Sequence, residues 1–549
     1  MPRRALALLP VCLLVTLLLT PPGEGAAQAT PQLQPLDAVH QDLDRLRAWG
    51  LIDTVLVGQR PYTRHQAALL TAQALRARGR LAGDPALGAT AGALLERLGS
   101  ELASELARMG VVAADDARPP LVVAWARLDG VWTDSPPRAV PTNQVASSAA
   151  QINPLLAYDL GREVEEGATA GLEVEVQVSL GGWLAGAVQP RAQWASSGSG
   201  QAAATVHLQS GHLRLLAGNA ALTLGRAYTI WGQGPRGGLI LSTNPGTLLL
   251  ARLATEEPVR LPWVLARLGP SLHQLFLADL GTEAQRFPHA HLFGMRSSFL
   301  PHRQLEVGMQ FLVESGGEGG PTASLGDRVL DYLFFPDLFT DQEFTFSNKV
   351  AGFDLRLRAP RMRGLELYLE LVIDDIDIDR FRSMIWDDGS WTAGVRLARL
   401  NDAGTVALSL EGQHTGIRLY EHGDYTSGLT LRRHLLGSEL GPNGNGLRVT
   451  LDWEPDSRDA LSVEGAVERR SNDPYLLVVG NPFYFARLGI RPKELRWRGA
   501  AAWVRRGGGT GAWRIRVEGG YEYVANYAFS RDATRHNFLV RTVVEMRLR

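Results

Sequence analysis

The sequence alternates strictly between apolar and polar positions around residue 300. From Leu292 to Phe299 apolar side chains occupy every second position, and after a turn at 301–303 the pattern resumes up to Glu314. Successive side chains of a β-strand point to opposite faces, so this stretch predicts a hairpin with one apolar and one polar face.

The same unit recurs through the C-terminal half, in 351–374, 447–467 and 495–523. Within it, Leu367 is expected on the apolar face and Glu366 on the charged one. Strands of about ten residues, joined alternately by short turns and long polar loops, are typical of an antiparallel transmembrane β-barrel. The alternative is a soluble sandwich. Against it stand the dense charge of the polar face and three tryptophans beside short turns, which indicate an aromatic girdle: Trp453, Trp503 and Trp513.

Counting strands back from Arg549 gives about eighteen, with sixteen and twenty as neighbouring solutions. The count is least certain in Trp183–Leu215, where one strand or two can be drawn. Charged side chains of both signs on the inward faces suggest a cross-linked interior. We expect the helical unit described next to help close this interior, together with Leu330–Phe339 if that segment folds inward.

Three regions follow from the pattern along the chain. Residues 1–29 read as a secretory signal, with two arginines, an apolar run and an Ala-Gln-Ala cleavage site. Residues 30–118 are expected to form a periplasmic α-helical unit, and residues 119–549 an outer-membrane β-barrel.

Within the helical unit the apolar period changes to three and four. Gly50 is expected to end one helix, a capping box from Thr63 to Gln66 to open a second, and a third to cover roughly Ala91–Met109. The piece Leu43–Leu75 faintly resembles an S-layer-homology module, whose relatives contact cell-wall polymers. The alternative is a bundle that packs on the mouth of the barrel.

Charge and cysteine content narrow the function classes. The formal net charge is −1, so no basic excess indicates nucleic acid as a partner. The only cysteine is Cys12, inside the predicted signal, so no disulfide or thiolate ligand is expected in the exported chain. The partners expected from the barrel itself are outer-membrane lipids.

Catalytic signatures are absent: no G-x-S-x-G, H-E-x-x-H or phosphate-binding G-x-x-x-x-G-K occurs. We therefore expect no enzyme, no cofactor and no metal. Two alternatives stay open. Four aspartates between Asp374 and Asp379 could hold Ca²⁺ or simply form a solvated loop. His414 or His422 with Ser427 could be imagined as the base and nucleophile of a barrel hydrolase.

Several motifs carry a resemblance to a known family: Gly225-Arg226, Trp231–Gly234, Leu241–Pro245, Tyr420–Tyr425 and Leu436–Gly444, with Asp53-Thr54 and Arg60–Tyr62 in the lead-in. With these motifs the chain resembles the capsule assembly Wzi family over nearly its whole exported length. The resemblance implies an outer-membrane barrel, closed rather than freely conducting, that holds capsular or other surface polysaccharide. Two features depart from the family: the chain ends without a terminal aromatic residue, and Ile230-Trp231 stands in place of a tandem tryptophan.

The expected function is therefore a lectin-like outer-membrane barrel that anchors polysaccharide through its long loops. Aromatic rings stack on apolar sugar faces and planar polar groups bond hydroxyls, which makes Trp231, Arg236, Tyr420 and Tyr425 candidate carbohydrate-binding residues. The alternative is a porin whose charged lumen passes small solutes.

Overall fold

A computed structural model of the 549-residue chain provides the structure. It describes residues 27–113, 119–140, 142, 150–153, 155–197, 202–334, 346–374, 388–478, 484–508 and 512–548. Most of the predicted signal, residues 1–26, lies outside them. Among the described helices none is long and apolar enough to cross a membrane.

Eighteen strands form the wall: β1 (Leu121–Thr133), β2 (Gly167–Leu180), β3 (Leu184–Ser197), β4 (Ala202–Ala217), β5 (Ala220–Ala227), β6 (Leu248–Thr255), β7 (Pro270–Asp279), β8 (His291–His302), β9 (Leu305–Ser315), β10 (Ser347–Ala359), β11 (Leu365–Asp374), β12 (Ser390–Leu397), β13 (Val406–Thr415), β14 (Gly444–Trp453), β15 (Asp459–Arg470), β16 (Glu494–Gly507), β17 (Trp513–Ala525) and β18 (Thr534–Arg547). The α-helices are α1 (Ala38–Ala48), α2 (Arg64–Ala77), α3 (Pro85–Glu101), α4 (Ala103–Arg108) and α5 (Leu325–Phe334).

The wall is one closed antiparallel sheet, sealed where β1 pairs with β18 from Trp125↔Arg547 to Thr133↔Leu539. This confirms the predicted eighteen-stranded barrel, and the doubtful stretch Trp183–Leu215 holds two strands, β3 and β4. Short turns lie at the rim where β1 starts and β18 ends, whereas most long connections lie at the opposite rim. In barrels of this architecture the short turns face the periplasm, so we call the two rims inner and outer.

The two faces of the wall differ as the alternation predicts. On the outward face Leu367 is 37% exposed and Met309 59%, whereas the inward neighbour Glu366 is fully buried. Trp453 and Trp503, near the inner rim, and Trp132, near the outer rim, are also exposed on this face. An apolar outward face with aromatic residues near both rims is what a lipid environment requires.

Two helix boundaries of the helical unit lie where the sequence predicts them. Thr63 and Gln66 form a capping box at the start of α2, and Gly50 follows α1 with φ at +79°, a conformation that glycine adopts without strain. The prediction of one third helix over Ala91–Met109 is wrong. Asp84 starts α3 earlier by accepting the N–H of Leu87 at 3.2 Å, and the chain breaks at Leu102 before α4.

Charged contacts hold the helical unit in the inner mouth of the barrel. Arg47 of α1 donates two hydrogen bonds, of 2.9 and 3.0 Å, to the carboxylate of Glu366 on β11. The carboxylate of Glu306 on β9 accepts the backbone N–H groups of Val57 and Gly58 at 2.9 and 2.8 Å. Every one of these groups is buried, so the unit acts as a plug.

The expectation that Leu330–Phe339 folds into the lumen is wrong for its described part. Residues 330–334 belong to α5, which lies against the outward face of β8 and β9, because the ring of Tyr332 stacks on outward-facing Phe293. Residues 335–339 lie outside the described part of the chain. The division into signal, helical unit and barrel at residues 29 and 118 stays a prediction.

Candidate functional site

The long outer connections fold back into the barrel and share an apolar core with the inward faces of the wall. Connection 228–247 contributes Leu239, Ile240 and Leu241, and connection 416–443 contributes seven side chains, among them Leu431 and Leu435. Wall residues such as Phe276 and Leu292 complete this outer-loop core. Burial of so many apolar groups fixes the loops relative to the wall.

Connection 228–247 reaches furthest into the lumen. Gln233 donates to Asp354 at 2.7 Å, Arg356 donates to Gln233 at 3.0 Å, and the N–H of Leu239 donates to Glu370 at 3.0 Å. These wall groups point inward, so polar groups of the loop pair with charged groups of the lumen.

The same connection also meets the plug. Residues Gln59–Arg60 of the helical unit pair as an antiparallel two-residue ladder with Ile230–Trp231. The plug and connection 228–247 therefore touch inside the barrel, and together they occupy the lumen between the two rims.

Three of the four predicted binding residues lie inside the outer-loop core. Trp231 is fully buried, with its ring centroid 5.5 Å from that of Phe276. Tyr420 is buried and donates to the carbonyl of Leu239 at 2.5 Å, and Tyr425 is fully buried and donates to the carbonyl of Gly316 at 3.3 Å. In this structure their rings hold the loops together and present no face to solvent. Their role in carbohydrate binding stays a prediction.

The fourth predicted residue, Arg236, lies beside a polar cavity. Its guanidinium is partly exposed, donates to Glu464 at 2.5 Å and sits 5.4 Å from the ring centroid of Tyr158. Arg448 lies 5.6 Å from the same ring, so two cations flank one aromatic group. Burial raises the pKa of Tyr158, and the nearby carboxylate of Glu439 adds to this effect, so the ring stays neutral.

The cavity itself is small and lies between Tyr158 and the inward faces of β13 to β15. Its polar lining consists of Tyr158, Glu411, Gln413, Glu439, Arg448 and Glu468. Carboxylates, an amide and a guanidinium are groups that bond sugar hydroxyls. They are already paired with one another here, as Arg448 with Glu411 at 3.3 Å, so a ligand would have to displace an existing ion pair.

A more accessible feature is a small hairpin in connection 416–443. Thr430–Leu431 pairs with His434–Leu435, and the two-residue turn between them is Arg432-Arg433. Both arginines have positive φ, +47° and +68°, where Asn-Gly is the usual sequence because side chains are strained there. The side chain of Arg433 is 51% exposed, so the turn displays a guanidinium to solvent.

Neighbouring polar side chains extend this exposed area, which we define as the outer-loop surface: Glu163, Glu283, Gln285, Arg432 and Arg433. Gln285 donates to the carbonyl of Thr430 at 2.9 Å and accepts from Ser427 at 3.2 Å. Glu283 lies 3.9 Å from Arg433. Partial burial raises the pKa of Glu163, and the like charge of Glu283 raises it further.

Sequence reasoning missed the arginine turn. Two consecutive arginines in a polar loop look like an ordinary solvated turn, and only the pairing of residues on either side reveals their strained backbone. The available signal was the apolar pattern around them, Leu429, Leu431, Leu435 and Leu436, which is unusual in a loop.

The sequence left two chemical alternatives open, a histidine–serine hydrolase and a calcium site. His414 bonds Asn445 at 2.9 Å, whereas Ser427 bonds Gln285, so the structure does not bring these two groups together as base and nucleophile. His422 accepts N–H groups of its own turn. Among the described residues no group of three or more His, Cys, Asp or Glu is arranged to hold a metal ion, and Asp375, Asp377 and Asp379 lie outside them.

Fold and site together define a β-barrel of the outer membrane, with a plugged inner mouth and structured outer loops. The family model described as "Capsule assembly protein Wzi" matches residues 137–537, about three quarters of the chain. The chain therefore belongs to the Wzi capsule assembly family.

A curated relative and several solved structures resemble the chain. An uncharacterized 55.8 kDa protein of the cps region of Klebsiella pneumoniae is 29% identical over 166 residues, which cover 29% of this chain and 31% of that protein. The structure of Escherichia coli Wzi, described as an outer-membrane, carbohydrate-binding β-barrel involved in group 1 capsule assembly, aligns with a TM-score of 0.63 at 15% identity, over 95% of this chain and 99% of that one. OprD of Pseudomonas aeruginosa aligns with a TM-score of 0.42 at 8% identity, over 78% and 94%.

Proposed function

We propose that this protein binds a capsular or other surface polysaccharide through the outer-loop surface and anchors it at the outside of the cell. Membership of the Wzi family supports a role in capsule assembly, and E. coli Wzi is described as carbohydrate-binding. The role proposed is binding rather than catalysis.

The observation that carries the proposal is the strained arginine turn. A non-glycine residue at positive φ costs on the order of 1 kcal/mol or more, and strain of this kind concentrates at functional sites. Leu431 and Leu435 bury the base of the hairpin, so the turn projects from a rigid support. Guanidinium groups form paired hydrogen bonds with carboxylates and bond hydroxyls, both of which polysaccharides carry.

The double substitution Arg432→Asn with Arg433→Gly tests this role because it separates binding from folding. Asn-Gly is the preferred sequence for this turn, so the free energy of unfolding should stay unchanged or rise. Affinity for polysaccharide purified from the surface of the producing cells should fall at least about tenfold, equivalent to about 1.4 kcal/mol. Immobilised polysaccharide and the folded, detergent-solubilised protein suffice for the measurement.

Arg363→Gly is the matched control. Arg363 is also an exposed arginine with positive φ, +54°, but it lies in the turn between β10 and β11 at the inner rim. This variant should relieve similar strain and keep full polysaccharide affinity. Unchanged affinity in the Arg432/Arg433 variant would refute the role of the outer turn.

Solute conduction is the alternative function, and the occupied lumen argues against it. Ions would have to pass both the plug and connection 228–247, which share a backbone ladder. We expect purified protein in a planar bilayer to show no steady open-channel current. A stable current would favour the porin alternative.

Two further partners predicted from the sequence belong to this proposal. Outer-membrane lipid is supported by the apolar outward face of the wall. A cell-wall polymer could meet only those parts of the helical unit that the barrel leaves exposed, such as the segment between α2 and α3, where Arg78 and Arg80 are exposed.

A further inference from the structure

Helix α5 belongs to connection 316–346 at the outer rim, but it lies on the outward face of the wall. The ring of Tyr332 stacks on that of Phe293, with centroids 4.9 Å apart and planes 2° apart, and its hydroxyl bonds Ser315. Arg296 points into the lumen, where it bonds Asp354 at 2.7 Å. Phe293 is three residues away on the same strand and therefore points to the opposite face, outward.

Burial marks the area that α5 covers. Phe293, Phe311 and Val313 point outward from β8 and β9, yet their exposed fractions are 6%, 2% and 0%. Outward residues nearer the middle of the wall are far more exposed, as Met309 at 59% shows. A covered strip therefore interrupts the lipid-facing surface at the outer end of these strands.

Polar contacts fix the helix in this position. Asp331 pairs with Lys349 at 2.9 Å, and Lys349 lies on β10 directly across from Val313 in the strand register. At the start of α5, Ser324 accepts the N–H of Asp327 at 3.1 Å and donates to its carboxylate at 2.7 Å, which caps the helix.

Three apolar side chains of α5 are exposed. Leu325, Val329 and Leu330 have exposed fractions of 79%, 41% and 40%. Residues four apart lie on one helix face, so Leu325 and Val329 form a stripe that Leu330 widens. This stripe borders the lipid-facing surface of the wall, because the helix that carries it rests on that surface.

We propose that α5 is an interfacial helix whose apolar side contacts the acyl chains of the membrane's outer leaflet. Continuity with the lipid-facing wall carries the inference. Tyr332, which packs on that wall, is three residues from Val329 and seven from Leu325 and therefore lies on the same helix face. The exposed part of this face continues the lipid-facing surface of the wall. Amphipathic helices bind at this depth by burying their apolar face below the headgroups. The proposal is independent of polysaccharide binding.

Nitroxide labels on single cysteines test the environment of this helix. Cys12 is the only cysteine in the sequence, so Cys12→Ser provides the background, and Leu325→Cys and Leu330→Cys place labels on the stripe. The full-length protein is reconstituted into phospholipid vesicles, and power saturation is measured with oxygen, which enters lipid, and with a water-soluble nickel chelate. We expect oxygen to relax both labels more than the chelate does.

Two sites calibrate the measurement. Met309→Cys on the outward wall is the lipid reference, and Glu318→Cys, exposed in the same connection as α5, is the water reference. Labels on α5 that match Glu318 would overturn the proposal, as would labels shielded from both relaxing agents, which would indicate a protein partner or a second copy. Heat-modifiable gel migration identifies folded variants, and Val329→Cys replaces either stripe position that does not fold.

Discussion

The outer and inner halves of the lumen are closed by opposite kinds of contact. In the outer half, loops bury leucine, tyrosine and tryptophan side chains against the apolar ends of the wall. In the inner half, the plug meets the wall mainly through charges: Arg47 with Glu366, Arg45 with Glu454 and Arg547 with Glu101. One half resembles the core of a soluble protein, whereas the other is an ionic seal.

This difference has consequences for how each half responds to change. Apolar packing depends on shape and is insensitive to pH, which suits a platform that must present loops in one arrangement. A buried ion pair adds little net stability but is costly to break, because the remaining charge is left without a partner. We therefore expect the ionic seal to be more sensitive than the outer-loop core to pH and to the loss of a single charge.

The largest effect is expected from breaking the outer-loop core. Trp231→Ala removes a fully buried ring between connection 228–247 and the wall and should lower the free energy of unfolding by about 3–5 kcal/mol. Urea titration in phospholipid vesicles measures this. Trp391→Ala, on the half-exposed outward face of β12, is the comparison and should cost less. Equal costs would mean that Trp231 is not part of a packed core.

Substitutions at two adjacent residues of β11, Glu366 and Leu367, compare the stability of the ionic seal with that of the lipid-facing surface. Leu367→Arg puts a charge on the outward face and should cost about 2–4 kcal/mol. Alternation alone suggests that the inward change Glu366→Gln is mild, but this carboxylate accepts from Arg47 at 2.9 Å and from Arg356 at 3.1 Å. We therefore expect about 3 kcal/mol for Glu366→Gln as well.

In Arg47→Met with Glu366→Gln, part of that loss should return, because both partners are then uncharged. The same urea titration gives the coupling free energy between the two sites. Additive losses would show that the pair does not hold the plug.

The smallest effect concerns pH. Burial lowers the pKa of His40 in α1 from 6.5 to about 4; Arg60 acts in the same direction, and Asp37 and Asp44 oppose it. The folded unit keeps this histidine neutral, so its stability is full above pH 6.5 and declines as pH falls toward 4. The loss at pH 5 should be about 2 kcal/mol.

Hydrogen exchange of α1 between pH 7 and 5 measures this decline. His40→Phe removes the titrating group while keeping a ring beside Tyr62, whose centroid lies 5.1 Å away, and should flatten the pH dependence. An unchanged slope in the variant would assign the effect to another group.

The wall strands and the helix caps were predictable from short-range sequence patterns. The strands were predictable because every wall residue faces either lipid or lumen, so a two-residue period is imposed along the whole barrel. The capping box at Thr63 and the glycine after α1 were predictable because they depend on residues at most three apart.

Contacts between distant segments were not predictable in the same way. Tyr420 and Tyr425 were candidate sugar platforms, since an aromatic residue in a polar loop has the same local sequence whether it faces solvent or a core. Their burial depends on Leu239 and Gly316, more than a hundred residues away. The position of α5 on the outer face likewise depends on Phe293 and Lys349 in the wall.

The contact between plug and seam also bears on assembly. The seam joins β1 to β18, strands more than four hundred residues apart, and loop-closure entropy opposes such a pairing. Arg547, the last residue of β18, binds Glu101 and Asp37 of the helical unit. Docking of the helical unit and pairing of β1 with β18 are thus thermodynamically linked. Each stabilises the other by the same coupling free energy.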